Sequence, residues 1–429
     1  MRHKFPSIKV TAFMALYRLL WLIFMPLVLS YLKRRARREP MYADHLGERF
    51  GFGAQRSGDW VWIHAVSLGE FRSAIPLIDA LLARGERVVI THFTPAGRGA
   101  SMDHYSDQIA SGKLAVCWIP FDYGLAFRRF FRRFSIRYGL VMEVEFWPGM
   151  IMSARAANIP LFLCNGQYPN KSYQRDKHRM LSARDIVPGF AGVMVKSNRM
   201  AEPFRELGLD KIAVTGEMRF EQPINQSHID AAVRVRSHLS ERPVLTFASA
   251  VKDEDALFIA AIQALKARMP DALIVYVPRK PEHFDRAAEL IQAAGLSVAR
   301  RSVVLNATFE LELPLTCDVL LGDSLGEMHF YLALADQVVV GGGFAPQGSH
   351  NIIEPLSQGK PTLVGPNTWT IDFPAVEAIE AGVVRQVSSD ELADALLDLS
   401  EYASADAFMS VMGGSVEKTL DSVSDFMER

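Results

Sequence analysis

The sequence predicts an α/β fold of two Rossmann-like halves, and three observations carry that prediction. From Trp60 onward, short apolar runs of β character alternate with helix-like segments, the rhythm of a parallel sheet covered by helices. The rhythm breaks over the polar stretch 222–242 and then restarts. Polar, often glycine-bearing motifs stand directly after the apolar runs, where an open parallel sheet binds its ligands. Size and composition agree: 429 residues exceed what one core usually organises, and 49% hydrophobic residues can fill two. A formal net charge of -1 offers no global field for nucleic acid. Cys117, Cys164 and Cys317 match no disulfide or metal spacing and read as buried thiols in a reducing compartment.

Taken in order, the chain opens with residues 11–32, apolar except for Arg18 and a few hydroxyls, and continues at once into Lys33-Arg34-Arg35-Ala36-Arg37-Arg38. A span needs about 20 apolar residues, so this segment suits a membrane anchor, spanning only if Arg18 snorkels. The dense arginine cluster follows the apolar stretch, where a cleaved signal peptide would carry a small-residue site, and it fits an anionic cytoplasmic leaflet. The β-like runs of the first half are Trp60 to Val66, Arg87 to Thr94, Leu114 to Pro120, Tyr138 to Val144, Ile159 to Leu163, Gly192 to Val195 and Ile212 to Thr215. Those of the second are Val244 to Ala248, Leu273 to Val277, Val319 to Leu321, Gln337 to Val340 and Thr362 to Val364. Three regions follow: 1–40, anchor and basic flank; 41–225, a first Rossmann-like domain; 226–429, a second. Two facing halves would place ligands in a cleft between them. In Phe127-Arg128-Arg129-Phe130-Phe131-Arg132-Arg133-Phe134 the phenylalanines fall on one helical face and the arginines on the other, which suits either a surface toward membrane or anionic substrate or a helix packed on the sheet.

Five polar strand ends are candidates for chemistry. Ser67-Leu68-Gly69-Glu70 ends the first run, and Glu70 at a strand-to-helix turn suits a general base, with helix N-terminal charge as its alternative role. Glu143-Val144-Glu145-Phe146-Trp147-Pro148 ends the fourth; read as strand, it points Glu143 and Glu145 to opposite faces. In the second half, Pro278-Arg279 supplies a guanidinium suited to phosphate. Gly322-Asp323-Ser324-Leu325-Gly326-Glu327 ends another run. Gly341-Gly342-Gly343-Phe344-Ala345-Pro346-Gln347-Gly348-Ser349-His350-Asn351-Ile352-Ile353-Glu354 follows Gln337 to Val340 as a glycine turn leading into a helix start, a device for offering backbone N–H groups to a phosphate. Glu354 there can accept both hydroxyls of a ribose. Nothing in the sequence resembles a metal cage.

Together these motifs resemble the 3-deoxy-D-manno-octulosonate (Kdo) transferases of lipopolysaccharide assembly. The similarity runs over nearly the whole chain through WIHAVSLGE, PFD, MEVEFWP, TGEMRF, VPRKPE, GDSLGE and GGGFAPQGSHNIIEPLSQGKPTLVGP. It implies a membrane-anchored GT-B glycosyltransferase on the cytoplasmic face of the inner membrane, moving Kdo from CMP-Kdo to a lipid A precursor (lipid IVA) with inversion, with no metal and no cofactor. Carried over by motif, Glu70 would be the base, Glu143 would help stabilise the transition state, and Arg219 of TGEMRF would stand where the family has a lysine. Contacts to CMP would fall on Pro278 and Arg279, on Leu325, Gly326 and Glu327, and on Asn351, Ile352, Ile353 and Glu354. Two stretches depart from the family pattern: Gln167, within Asn165 to Ser172, replaces an arginine, and Val251, within Ala248 to Asp255, replaces a histidine. A GT-B transferase of another nucleotide sugar and a non-catalytic lipid A-binding paralogue are the alternative readings. Oligomeric state is left open.

Overall fold

The computed structural model describes residues 5–168, 173–174, 183–398 and 402–428. They form two compact units, one of residues 1–222 with 413–429 and one of 223–412. The first unit is built on a parallel sheet of seven strands: β1 (Asp59–His64), β2 (Arg87–His92), β3 (Leu114–Trp118), β4 (Ser135–Met142), β5 (Leu161–Gly166), β6 (Gly192–Val195) and β7 (Ile212–Val214), in the order β3-β2-β1-β4-β5-β6-β7. Both faces of this sheet are covered. Trp60 and Trp62 point into one apolar layer and Val61 and Ile63 into the other, which is why the strands read as continuous hydrophobic runs rather than alternating ones.

The second unit repeats the plan with β8 (Val244–Ala250), β9 (Leu273–Pro278), β10 (Val298–Arg300), β11 (Val319–Leu321), β12 (Gln337–Val340), β13 (Thr362–Val364) and β14 (Val384–Gln386), all parallel, in the order β10-β11-β9-β8-β12-β13-β14. The two strands without a counterpart in the sequence reading, β10 and β14, are the sheet's two edges. Each is three residues long, and neither is fully buried, so neither carries the hydrophobic run that betrays an inner strand. Chain order reverses at β1/β4 in the first sheet and at β8/β12 in the second. Loops leaving adjacent strands diverge there and open a crevice at the strands' carboxyl ends.

Three boundaries differ from expectation. The strand expected over Tyr138 to Val144 stops at Met142. Residues assigned by sequence to the end of the second domain return to the first: the helix Ser415–Glu428 buries Val416, Leu420, Val423 and Phe426, the i, i+4, i+7 stripe of an amphipathic helix. Phe426 stacks on Phe162 of β5 at 6.3 Å between centroids, and Gly192 leaves the room it needs, since a Cβ there would stand 2.2 Å from the Phe426 ring. Nor is the N-terminal helix, Ile8–Ala36, a separate region. Val10, Met14 and Leu32 are buried along one stripe of it while Leu19, Leu22, Ile23 and Leu27 are exposed on the other side. Asp122 of the PFD motif fastens it: one carboxylate oxygen accepts from the Tyr17 hydroxyl at 2.8 Å, and the pair together accepts from the Gly149 and Met150 N–H groups, at 3.0 and 2.6 Å. A single buried side chain thus caps the helix Pro148–Ala156 and docks the N-terminal helix.

Candidate active site

At the β1/β4 reversal, β1 runs through Val66 and Ser67 into the helix Leu68–Ala83. Ser67 caps that helix, its hydroxyl accepting from the Glu70 N–H, and Glu70 reaches back to accept from the Val66 N–H at 2.7 Å and the Ser67 hydroxyl at 3.2 Å. Ser-Leu-Gly-Glu is therefore a variant of the capping box, and the helix-terminal role weighed for Glu70 is one it performs. Four lone-pair directions on its carboxylate leave acceptor capacity beyond these bonds.

From β4 comes the correction that changes the site. Glu143 sits in a turn with φ +58, outside the strand, so the alternation that would send Glu143 and Glu145 to opposite faces does not apply. Both lie close enough to Glu70 for their charges to act on it. Burial first, then the charges of Glu143 and Glu145, push the Glu70 carboxyl up to about 8, and burial followed by Glu143 pushes Glu145 up. Gln167 donates to Glu143 at 3.3 Å and the Trp147 indole donates to Glu145. Gln167 stands at the position where the family arginine is replaced, so this chain meets Glu143 with a neutral amide; residues 169–172 of the same departing stretch lie outside those described. Among the described residues no cation pairs with Glu70, Glu143 or Glu145, and no three His, Cys, Asp or Glu side chains are placed to hold a metal ion.

Arg219 lies on the turn Met218–Glu221 after β7. Its guanidinium donates to Glu217 at 3.0 Å, and Lys196, directly after β6, meets the same carboxylate at 2.8 Å. Glu217 is fully buried and also accepts from Asn165 at 2.8 Å. Its two cations, Lys196 first, outweigh burial and hold its carboxyl far below the usual range. Sequence reasoning passed over Lys196, Glu217 and Asn165. Their signal was positional: each stands at or just past a strand's carboxyl end.

In the second unit N–H groups of the glycine turn are already taken up within the protein. Glu254, 1% exposed, sits beneath it and accepts from the N–H of Gly342 at 2.7 Å and of Phe344 at 2.9 Å, besides Val251 at 3.3 Å. The expectation of a phosphate cradle at Gly341–Phe344 is therefore corrected: the anion held there is the protein's own. Gly342 is required by the turn, with φ +88 and a Cβ position 2.4 Å from the Gly348 carbonyl. Val251, the other departing residue, supplies only its backbone here.

The predicted nucleotide residues divide. Pro278 ends β9 in full burial, and Arg279 beyond it is exposed, its guanidinium without a hydrogen-bond or acid partner among the described residues. It stands near His350, whose imidazole is depressed to about 4, by burial first and then by Arg279. The Nε2 of His350 is buried with no partner, and the absent side chain of Gly342 is what admits the ring. Leu325 is 68% exposed and Gly326 takes φ +79. Glu327 meets Arg301 at 2.6 Å and Ser324 through one carboxylate oxygen, which braces its loop. Asn351 accepts from the Ile353 N–H at 2.9 Å; Ile352 and Ile353 are buried. Glu354 opens a helix of only four residues, Ile353–Leu356, and its carboxylate has no partner among the described residues.

Two Rossmann-like units in tandem, each a parallel sheet with a reversal point, are the architecture of the GT-B fold. A glycosyltransferase from Rickettsia africae ESF-5 superposes with a TM-score of 0.57 at 12% identity, covering 88% of this chain and all of that one. Fold alone does not select the reaction, since a UDP-GlcNAc 2-epimerase from Neisseria meningitidis also superposes at 0.57, with 12% identity over 86% of this chain and all of that one. Sequence does: the family model described as 3-deoxy-D-manno-octulosonic-acid transferase (kdotransferase) matches residues 44–222. The 3-deoxy-D-manno-octulosonic acid transferase of Bordetella pertussis is 36% identical over 419 residues, 94% of this chain and 96% of that one. The chain belongs to the 3-deoxy-D-manno-octulosonic acid transferase family.

Proposed function

We propose that this transferase moves Kdo from CMP-Kdo to a lipid A precursor, lipid IVA, with inversion at the anomeric carbon and without a metal ion or cofactor, at the cytoplasmic face of the inner membrane. The observation that carries the reading is the group of three acids at the β1/β4 reversal with Glu70 held up to about 8. A sugar hydroxyl is a weak acid, and a base whose conjugate acid lies near neutrality accepts its proton more readily in the transition state than an ordinary glutamate does. Glu70 is that base. Glu143, beside it, favours positive charge developing at the anomeric carbon as CMP departs, and Arg219, steered by Glu217, offers a further guanidinium at the end of the same sheet.

Donor binding falls to the second unit. Among the described residues the guanidinium of Arg279 and the Nε2 of His350 have no internal partner, and Glu354 has a carboxylate that can accept ribose hydroxyls. The departing cytidine phosphate meets Arg279 as a bidentate partner. Membrane attachment rests on the helix Ile8–Ala36, whose outward side is apolar and whose last turn is basic.

The test is mass spectrometry of lipid IVA incubated with CMP-Kdo and the full chain. Addition of Kdo is expected. Transfer only from a uridine nucleotide sugar would replace this donor, and binding of lipid IVA with no transfer from any donor would replace the enzyme by a lipid-binding paralogue.

A further inference from the structure

Between the N-terminal helix and the helices Gly124–Arg133 and Pro148–Ala156 lies a cavity of ≈480 Å³. Its floor is apolar, made by Met14, Phe131 and Met152 among others, and its rim carries Arg18, Arg128 and Arg132. No acid lines it, and none of the three guanidiniums has an acid or hydrogen-bond partner among the described residues. This separates the arginines of the Phe127–Phe134 segment into two pairs. Arg129 donates to the Phe50 carbonyl at 3.3 Å, and Arg133 donates to the Ala54 carbonyl at 3.1 Å and approaches Glu48 at 3.7 Å; these two brace the fold. Arg128 and Arg132, one helical turn apart, face the cavity and meet Arg18 from the neighbouring helix. The three guanidiniums are exposed and lie on one rim with no acid beside them, an arrangement suited to an anion.

The cavity lies at the wrong end of the sheet to be the acceptor site described above. Ser135, Ile136 and Ile159 line it from the amino ends of β4 and β5, and roughly 20 Å of extended strand separates Ile136 from Glu143. The chemistry of its occupant follows from its two parts. Guanidiniums bind a phosphodiester bidentately, and an apolar floor accepts hydrocarbon. One wall belongs to the helix whose outer side exposes Leu19, Leu22 and Ile23, with Leu22 one turn beyond Arg18. We infer that this cavity holds one anionic glycerophospholipid, its phosphate on Arg18, Arg128 and Arg132 and an acyl chain on the apolar floor and along the N-terminal helix. The site is separate from that of the lipid substrate. The inference rests on the membrane attachment proposed above.

The experiment is native mass spectrometry of the detergent-solubilised full chain given equal amounts of phosphatidylglycerol and phosphatidylcholine, with inorganic phosphate alone in a parallel sample. Wild type is expected to retain one phosphatidylglycerol in preference to phosphatidylcholine. The double variant Arg128→Ala/Arg132→Ala should weaken that retention about tenfold to thirtyfold, from roughly a fivefold contribution per arginine. The equally neutralised Arg34→Ala/Arg37→Ala should keep it. Equal retention of both lipids, a phosphate adduct without lipid, or unchanged retention in the Arg128/Arg132 variant would overturn the site. Flotation with phosphatidylcholine–phosphatidylglycerol vesicles separates the two readings: if the cavity variant still floats but retains no less lipid, only the site fails, whereas wild type that does not float removes the membrane attachment and the site with it. Kdo transfer by the Arg128/Arg132 variant, expected at the wild-type rate, reports that it folds.

Discussion

Glu70 and Glu254 occupy equivalent places in the two units, each just past the first strand of its sheet and close to the reversal point, and burial pushes both carboxyls up, yet their neighbours differ. Beneath the glycine turn, Glu254 is met by the backbone N–H groups of Gly342, Phe344 and Val251. Glu70 has one backbone N–H and a serine hydroxyl, and its near neighbours include two more carboxylates. An acid whose charge is answered by fixed dipoles is a structural bolt; an acid surrounded by acids is held in a state from which it readily takes or gives a proton. The comparison teaches that proximity to a strand end selects candidates and that the local balance of charge and donors decides between them. It also bears on the proposed donor side: Glu254 is engaged by backbone N–H groups, whereas the guanidinium of Arg279 has no internal partner among the described residues.

The comparison breaks most sharply at Glu70. Glu70→Gln keeps size and hydrogen bonding and removes basicity, so Kdo transfer should slow by about 10² to 10⁴-fold with CMP affinity almost unchanged; transfer within a few-fold of wild type would make Glu70 a capping residue only. Next comes Glu354→Ala, expected to weaken CMP binding by about 2 to 5 kcal/mol, as read by titration calorimetry; an unchanged affinity would move the ribose elsewhere. Glu254→Gln places an amide donor against backbone donors, and its expected cost is about 1 to 3 kcal/mol of stability in chemical denaturation. If Glu254→Gln instead abolished transfer in a protein of full stability, the assignment of Glu254 as structural would fall. The smallest effect is on pH. A base titrating at about 8 is only about one-tenth ionised at pH 7, so transfer should climb roughly tenfold as pH rises from 7 past 8. Because the folded pKa lies above the ordinary glutamate value, the same group stabilises the fold at low pH, and that contribution is lost as pH rises through about 8. A profile flat across this window would show that Glu70 does not ionise there.

Much of the fold was legible in the residues. The inner strands announce themselves because both faces of each sheet are buried, so runs such as Trp60 to His64 are apolar throughout; the edge strands β10 and β14 do not, because half-exposed triplets such as Val384-Arg385-Gln386 carry no pattern. The C-terminal helix shows its amphipathic stripe in sequence, yet no local feature says that Phe426 seats on Gly192 of the first sheet. Of the candidate site, Glu70 and Arg279 could be picked out by type and position after a strand, and Glu143 by resemblance to the family motif. The error at Glu143 and Glu145 arose from extending a period-two pattern past Met142, where a positive φ ends it. The error at the glycine turn arose because the buried acid that fills it, Glu254, comes from a segment about ninety residues earlier.

By itself the sequence determined that there would be two parallel sheets with reactive groups at their carboxyl ends and an apolar, arginine-flanked N-terminal helix, because hydrophobic periodicity and strand-end chemistry are local properties of the chain. Only the tertiary structure decided which carboxylates would be answered and which left together, that Asp122 would bind the N-terminal helix to the first unit, and that Arg18 would meet Arg128 and Arg132 over an apolar floor. Those outcomes depend on which distant segments come together; where the space they share is desolvated, the interaction of charges is strong and the penalty for an unanswered one is high, and no local pattern encodes that.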